Sequence, residues 1–113
     1  MPRGSPLTGP AFQVLLALVD GPRHGYAITQ EIRTRTGGIE GLTASTLYAV
    51  LKRLLDEGLI TEVDTDGTAA GPPRRAYALT RAGRAEGRAE AARLDALARL
   101  ARSKQWMPKR SGR

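Results

Sequence analysis

The chain contains no cysteine among its 113 residues, so neither disulfide staples nor thiolate metal sites are available, and a reducing cytoplasm is the expected location. Histidine occurs once, as His24. Without a second imidazole or a thiolate to join it, no metal site and no cofactor are expected, and His24 is read as a turn or capping residue. Aromatic residues make up 4% of the chain; Trp106 among them is read as a packing residue, since a single tryptophan most often serves as buried area. No apolar run approaches the roughly 20 residues that span a bilayer, and the Met-Pro-Arg-Gly-Ser start has no signal-peptide core, so no membrane partner is expected. Paired acids, a nucleophile with a base, and a Gly-rich phosphate loop are also missing. The chain therefore does not read as an enzyme.

What is present is positive charge. The net charge is +7 and the isoelectric point about 10.8, values that suit a nucleic-acid partner. Its placement is uneven. Residues 103–113 hold Lys104, Lys109, Arg110 and Arg113 and no acid, whereas residues 43–75 set Lys52, Arg53, Arg74 and Arg75 against Asp56, Glu57, Glu62, Asp64 and Asp66. Bulk charge does not locate a site here, and residue placement has to.

The most informative stretch is residues 43–58, TASTLYAVLKRLLDEG. Leu47, Val50, Leu51, Leu54 and Leu55 fall at i, i+3, i+4, i+7 and i+8, the stripe that buries one face of a helix. The opposite arc carries Ser45, Ala49, Lys52 and Arg53, flanked by Thr46 and Tyr48. Thr43 or Ser45 can accept from a free backbone N–H at the start, and Gly58 can end the helix in the left-handed conformation. The two acids lie in the last turn, so the earlier turns present nothing that repels a phosphate. Such a helix fits a DNA groove.

Around it the chain reads in order as one domain. Residues 1–9 form a Pro/Gly-rich arm, and AFQVLLALVD after Pro10 predicts a first, apolar helix reaching to Gly21-Pro22. A second helix opens at His24-Gly25-Tyr26, with Tyr26, Ile28 and Ile32 as its apolar contacts, and stops before Gly37-Gly38. The short link 39–42 then gives helix-turn-helix spacing. Residues 59–64 and 75–79 read as two strands joined by the loop 65–74, whose prolines precede Arg74-Arg75, a pair suited to holding a phosphate backbone. The fold class expected is mainly α with a small β-hairpin: a winged helix-turn-helix over 10–80, followed by a long C-terminal dimerisation helix over 81–103 and a basic tail at 104–113.

That last helix begins at Thr80 as cap and stops before Pro108. Ala82, Ala85, Ala89, Ala92 and Ala96 recur at three and four residues, and Leu94, Leu97 and Leu100 take the seam over. Arg81, Arg84, Arg88, Arg99 and Arg102 fall on a far, solvated side. So small a domain cannot bury so long a seam, which makes a second copy the expected partner, with Ala89, Leu94, Leu97, Leu100 and Ala101 as interface. Gly83 and Gly87 allow another backbone to come close.

Three blocks at this spacing resemble the PadR-like bacterial transcriptional regulators: His24-Gly25-Tyr26-Ala27-Ile28; Thr46-Leu47-Tyr48 with Leu51, Arg53-Leu54 and Gly58-Leu59-Ile60; and Arg74-Arg75, Tyr77, Leu79-Thr80 and Gly83. The resemblance implies a winged helix with a carboxy-terminal dimerisation helix, repression from palindromic operators and, in many members, release by a small molecule; the single last helix matches the short branch. Ala49 stands where the family often has proline and Ser45 where glycine is frequent. Ala76 and Ala78 flank Tyr77 where basic or polar residues are common. The expected function is a homodimeric repressor that binds double-stranded DNA through Thr43, Ser45, Thr46, Tyr48, Lys52, Arg74 and Arg75, with a small apolar or aromatic effector possible between the last and first helices. The rival reading is a winged-helix protein-interaction module with nonspecific nucleic-acid affinity.

Overall fold

The computed structural model describes residues 7–36, 43–64 and 75–107. The arm 1–6, the link 37–42, the wing loop 65–74 with Arg74, and the tail from 108, with Lys109, Arg110 and Arg113, lie outside the described residues. Four helices and three strands follow in the order α1 (Gly9–Ala17), β1 (Arg23–His24), α2 (Gly25–Thr36), α3 (Ala44–Asp56), β2 (Ile60–Asp64), β3 (Arg75–Leu79) and α4 (Arg81–Ser103).

Three of the helices start on a threonine whose side chain accepts a backbone N–H three residues on: Thr8 from Ala11, Thr43 from Thr46 and Thr80 from Gly83. Of the two caps the sequence allows for α3, Thr43 is the one used. The core forms where α1, α2 and α3 meet, around Val14, Leu15, Leu18, Ile28, Ile32, Leu47, Leu51 and Leu54, all buried. Val50 and Leu55 of the α3 stripe are half-buried and pack on its edge.

Three details depart from the sequence reading. First, α1 stops at Ala17, short of Gly21-Pro22, because the N–H groups of Leu18, Val19 and Gly21 each bond to the carbonyl three residues back, which tightens the end into a turn. Arg23 Nε then donates to the Ala17 carbonyl at 2.8 Å, satisfying one of the acceptors the helix leaves open, and the same side chain pairs with Glu31 of α2. Second, that anchoring lets Arg23 and His24 run antiparallel beside β3, opposite Tyr77 and Ala76, so the expected hairpin is a three-stranded sheet in the order β1-β3-β2. His24 is a strand residue rather than part of a helix opening. Third, Tyr26 is not an apolar contact of α2; it is 73% exposed. Ile28 and Ile32 share a face at i, i+4, and a residue two before Ile28 points away from it.

The join between α3, β2 and α4 is closely packed. Gly58 takes φ +75, its N–H donates to the Leu55 carbonyl, and the N–H of Leu59 donates to that of Leu54. This paired closure ends α3 and sends the chain directly into β2. Thr80 Oγ1 accepts from Gly83 and donates to the Gly58 carbonyl at 2.7 Å, while its own N–H donates to the Leu59 carbonyl. α4 crosses so near that a Cβ on Gly83 would lie 2.0 Å from the Leu59 oxygen. The close approach expected of Gly83 is made within the chain.

A pair of substitutions tests this. Gly83→Ala is expected to destabilise by about 2 kcal/mol and lower the melting temperature by about 10 °C, because the clash outweighs the gain in helix propensity. At Gly87 the nearest atom to an added Cβ is Leu15 Cδ1, at 3.9 Å. There Ala is expected to stabilise by about 0.5–1 kcal/mol. Thermal denaturation of both variants checks the contrast, and equal melting temperatures would refute it.

Candidate nucleic-acid interface

The exposed arc of α3 is the surface the sequence picks out. Ser45, Thr46, Tyr48, Ala49, Lys52 and Arg53 are all exposed, while Leu47, Leu51 and Leu54 hold the helix to the core from behind. Thr43 Oγ1 organises the first turn: besides capping the Thr46 N–H, it donates to Thr46 Oγ1 at 3.0 Å and lies 3.3 Å from Ser45 Oγ. Three hydroxyls are thus linked at the end of the helix that carries no acid. Further along, Lys52 pairs with Asp56 and Arg53 with Glu57, each at i, i+4 and well exposed. Exposed pairs of this kind contribute about 0–1 kcal/mol, so the cations are only lightly held.

Tyr48 and Arg75, distant in sequence, meet at one concavity of about 550 Å3 that His24, Gly25, Tyr26 and Tyr77 complete. Arg75, at the start of β3, reaches diagonally across to Glu62 of β2 at 3.3 Å. Tyr77 sits beneath. Its hydroxyl is pushed above its ordinary pKa chiefly by burial and next by the Glu62 charge, with Arg75 opposing, so it remains protonated at neutral pH. On the other flank of α3, Ser45, Thr46, Ala49 and Arg53 border a smaller groove, of about 380 Å3, against Thr8 and Ala11. Arg74 lies outside the described residues, and Thr43, exposed, serves first as the cap. The concavity's His24 and Tyr26 were not singled out from sequence as site residues; the signal was available in the i, i+2 relation of Tyr26 to Ile28.

The second surface belongs to α4. Gly83, Gly87 and Glu90 face the body of the protein, and continuing that spacing of four and three residues leads to Leu94, Leu97 and Ala101. Leu97 is 49% exposed and Leu100 51%. The seam expected from sequence is broader than one line: Ala85 and Leu94 are nine residues apart, about 900° of rotation, and so lie on opposite sides, whereas Leu100, eleven residues from Ala89, falls within about 20° of it on the alanine side. The five residues named as interface span an arc of about 140°. Beside α4, the exposed Leu16 of α1 and Val19 of the turn after it border an apolar groove of about 230 Å3, with Gly87 and Ala91 on its other wall. Glu90, buried, receives two hydrogen bonds from Arg93 on the next turn. Trp106 does not pack as expected: it is 85% exposed, because the chain leaves α4 after Ser103 and turns at Gln105, φ 65, before the tryptophan can reach the core.

Among the described residues no helix is long and apolar enough to cross a membrane, and no group of three His, Cys, Asp or Glu could hold a metal ion. The family model for the transcriptional regulator PadR-like family matches residues 14–89. The chain belongs to that family. The match runs from the second half of α1 through the first turns of α4, so it takes in α2, α3 and all three strands of this PadR-like protein. The family is one of transcription regulators, not enzymes. A PadR family transcription regulator from Clostridium difficile has a similar structure, with TM-score 0.77 over 87% of this chain and 99% of that one; at 21% identity the likeness is one of fold. PadR of Bacillus subtilis, whose structure was solved in complex with operator DNA, is 31% identical, with TM-score 0.61, over 69% of this chain and 44% of that one. In sequence, 72 residues are 35% identical to an uncharacterised protein of Lysinibacillus sphaericus, covering 64% of this chain and 65% of that protein's length.

Proposed function

We propose that this PadR-like protein is a cytoplasmic, homodimeric repressor that binds a palindromic operator, with α3 in the major groove and the β2–β3 wing against the flanking backbone. The observation that carries this reading is the exposed arc of α3: linked hydroxyls at Thr43, Ser45 and Thr46, then Tyr48 and Lys52, all on the side away from Leu47 and Leu51. Hydroxyls and an amine can meet base edges and phosphates, and the buried leucines fix how far the helix projects. Arg74 and Arg75 supply charge at the wing. The Bacillus subtilis relative held by operator DNA supports the same assignment.

A dimer follows from α4. A stripe that begins as buried contact at Gly83 and Glu90 and emerges as exposed Leu94 and Leu97 has apolar surface left for a second copy. Two copies also match a two-fold operator. The apolar groove beside α1, about 230 Å3, is where a small apolar or aromatic effector would alter the spacing of the two reading helices without touching them.

Binding to the operator and to random duplex, each titrated with salt, tests the reading. Thr46→Ala is expected to cost about 1–3 kcal/mol on operator DNA and far less on random DNA; Lys52→Ala is expected to follow it if Lys52 meets a base. Equal affinity for both duplexes at every salt concentration, in the unaltered protein, would refute sequence-specific recognition. For the dimer, sedimentation at concentrations on the order of tens of micromolar is expected to give twice the chain mass, and Leu97→Glu to give the monomer. A monomeric unaltered protein under those conditions would contradict the interface.

A further inference from the structure

Two large exposed side chains have no role in the core. Tyr26 is 73% and Tyr48 56% exposed, and both open on the concavity that Arg75 and Tyr77 share. Its polar lining is made of donors. Gln30 Nε2 donates to Tyr26 Oη at 2.6 Å, which occupies a lone pair and leaves the phenol hydrogen for an acceptor outside. Tyr48 Oη makes no hydrogen bond to another described residue, and among the described residues the Arg75 guanidinium is held by the exposed pair with Glu62 and a side-chain hydrogen bond to Tyr77. His24 Nε2 is buried there without a partner. Among the described residues no Asp or Glu lines the concavity. At position 25 even a Cβ would come within 3.6 Å of the Tyr48 hydroxyl, so a side chain larger than that of Gly25 would start to fill the space.

A concavity with two free hydroxyl hydrogens, a guanidinium and, among the described residues, no lining carboxylate suits an oxyanion that offers several acceptor oxygens. We propose that it seats one backbone phosphate of the bound duplex, whose oxygens accept from Tyr26, Tyr48 and Arg75. The inference rests on the DNA reading above and adds to it a contact from α2 that neither the groove helix nor the wing supplies. Its position favours a phosphodiester over a free anion. Tyr48 lies within a turn of Ser45 and Thr46, and Arg75 is the first residue of the wing strand, so the seat falls between the two elements laid on the DNA. Phosphate contacts of this kind set register without reading sequence.

The test is a salt titration of binding to a random-sequence duplex of about 25 base pairs, enough for two half-sites a helical turn apart. Tyr26→Phe, Tyr48→Phe and the double variant keep the rings, and unchanged melting temperatures would confirm the fold. The double variant is expected to bind about tenfold more weakly at every salt concentration, the loss of two hydrogen bonds from uncharged donors. Its salt slope is expected to stay unchanged, because no charge is removed, whereas Arg75→Ala is expected to flatten the slope by about one unit. A double variant that binds random duplex as tightly as the unaltered protein overturns the phosphate seat while leaving the DNA reading intact. Loss confined to operator DNA also overturns it, since that places the tyrosines on bases. Inorganic phosphate that perturbs tyrosine fluorescence, with duplex affinity unchanged in the double variant, makes it a free-anion site instead. If the unaltered protein binds no duplex at low salt, the DNA reading itself fails.

Discussion

One carbonyl, that of Leu59, ties the reading helix, the wing and the last helix together. Leu59 follows the glycine that ends α3, its N–H closes that helix on Leu54, and the next residue begins β2. The same residue's oxygen accepts from Thr80 and lies where no Cβ on α4 could approach it. Side-chain packing can absorb small displacements by changing rotamer, but backbone pressed on backbone cannot. α4 therefore cannot slide along its axis without moving the end of α3 and the start of the hairpin. If two copies join through α4, the angle between their reading helices is carried through this contact rather than through flexible side chains. An effector in the groove between α1 and α4 would act on the short arm of the same lever.

Most of the fold was legible in the sequence because its signals are local. The α3 stripe, the threonine caps and Gly58 all act within a few residues, and α3 and α4 have the bounds that spacing and caps gave them. What was not legible depends on contacts distant in sequence. The strand β1 is two residues long, too short for any alternation to show, and exists because Arg23 is anchored on the open end of α1 and runs beside Tyr77. The early stop of α1 is of the same kind, since Leu18 continues the apolar pattern while its N–H has already left the helical register.

The breadth of the α4 seam has a different origin. Its alanines and leucines each repeat at three and four residues, yet rotation of about 100° per residue carries the leucines from Leu94, opposite Ala85, round to Leu100, beside Ala89. Gly83 and Glu90 identify the inward face. A buried glycine and a buried glutamate carry no hydrophobic signal, so the face that matters most in the first half of the helix is the one composition hides.

Charge follows a similar logic at the proposed DNA surface. Residues 43–75 hold more acid than base, yet Lys52, Arg53 and Arg75 are each matched by one exposed carboxylate, from Asp56, Glu57 and Glu62. Pairs this exposed contribute about 0–1 kcal/mol, so swinging such a cation from its carboxylate to a phosphate costs little. The carboxylates keep the free surface from attracting polyanions indiscriminately, and they sit beyond the first turns of α3, where the hydroxyls are. On the proposed reading, neutral donors would face the bases and the concavity, while the cations would work at the margin. Affinity from charge and selectivity from hydroxyls are in this way drawn from separate residues, and ionic strength can change the first with little effect on the second.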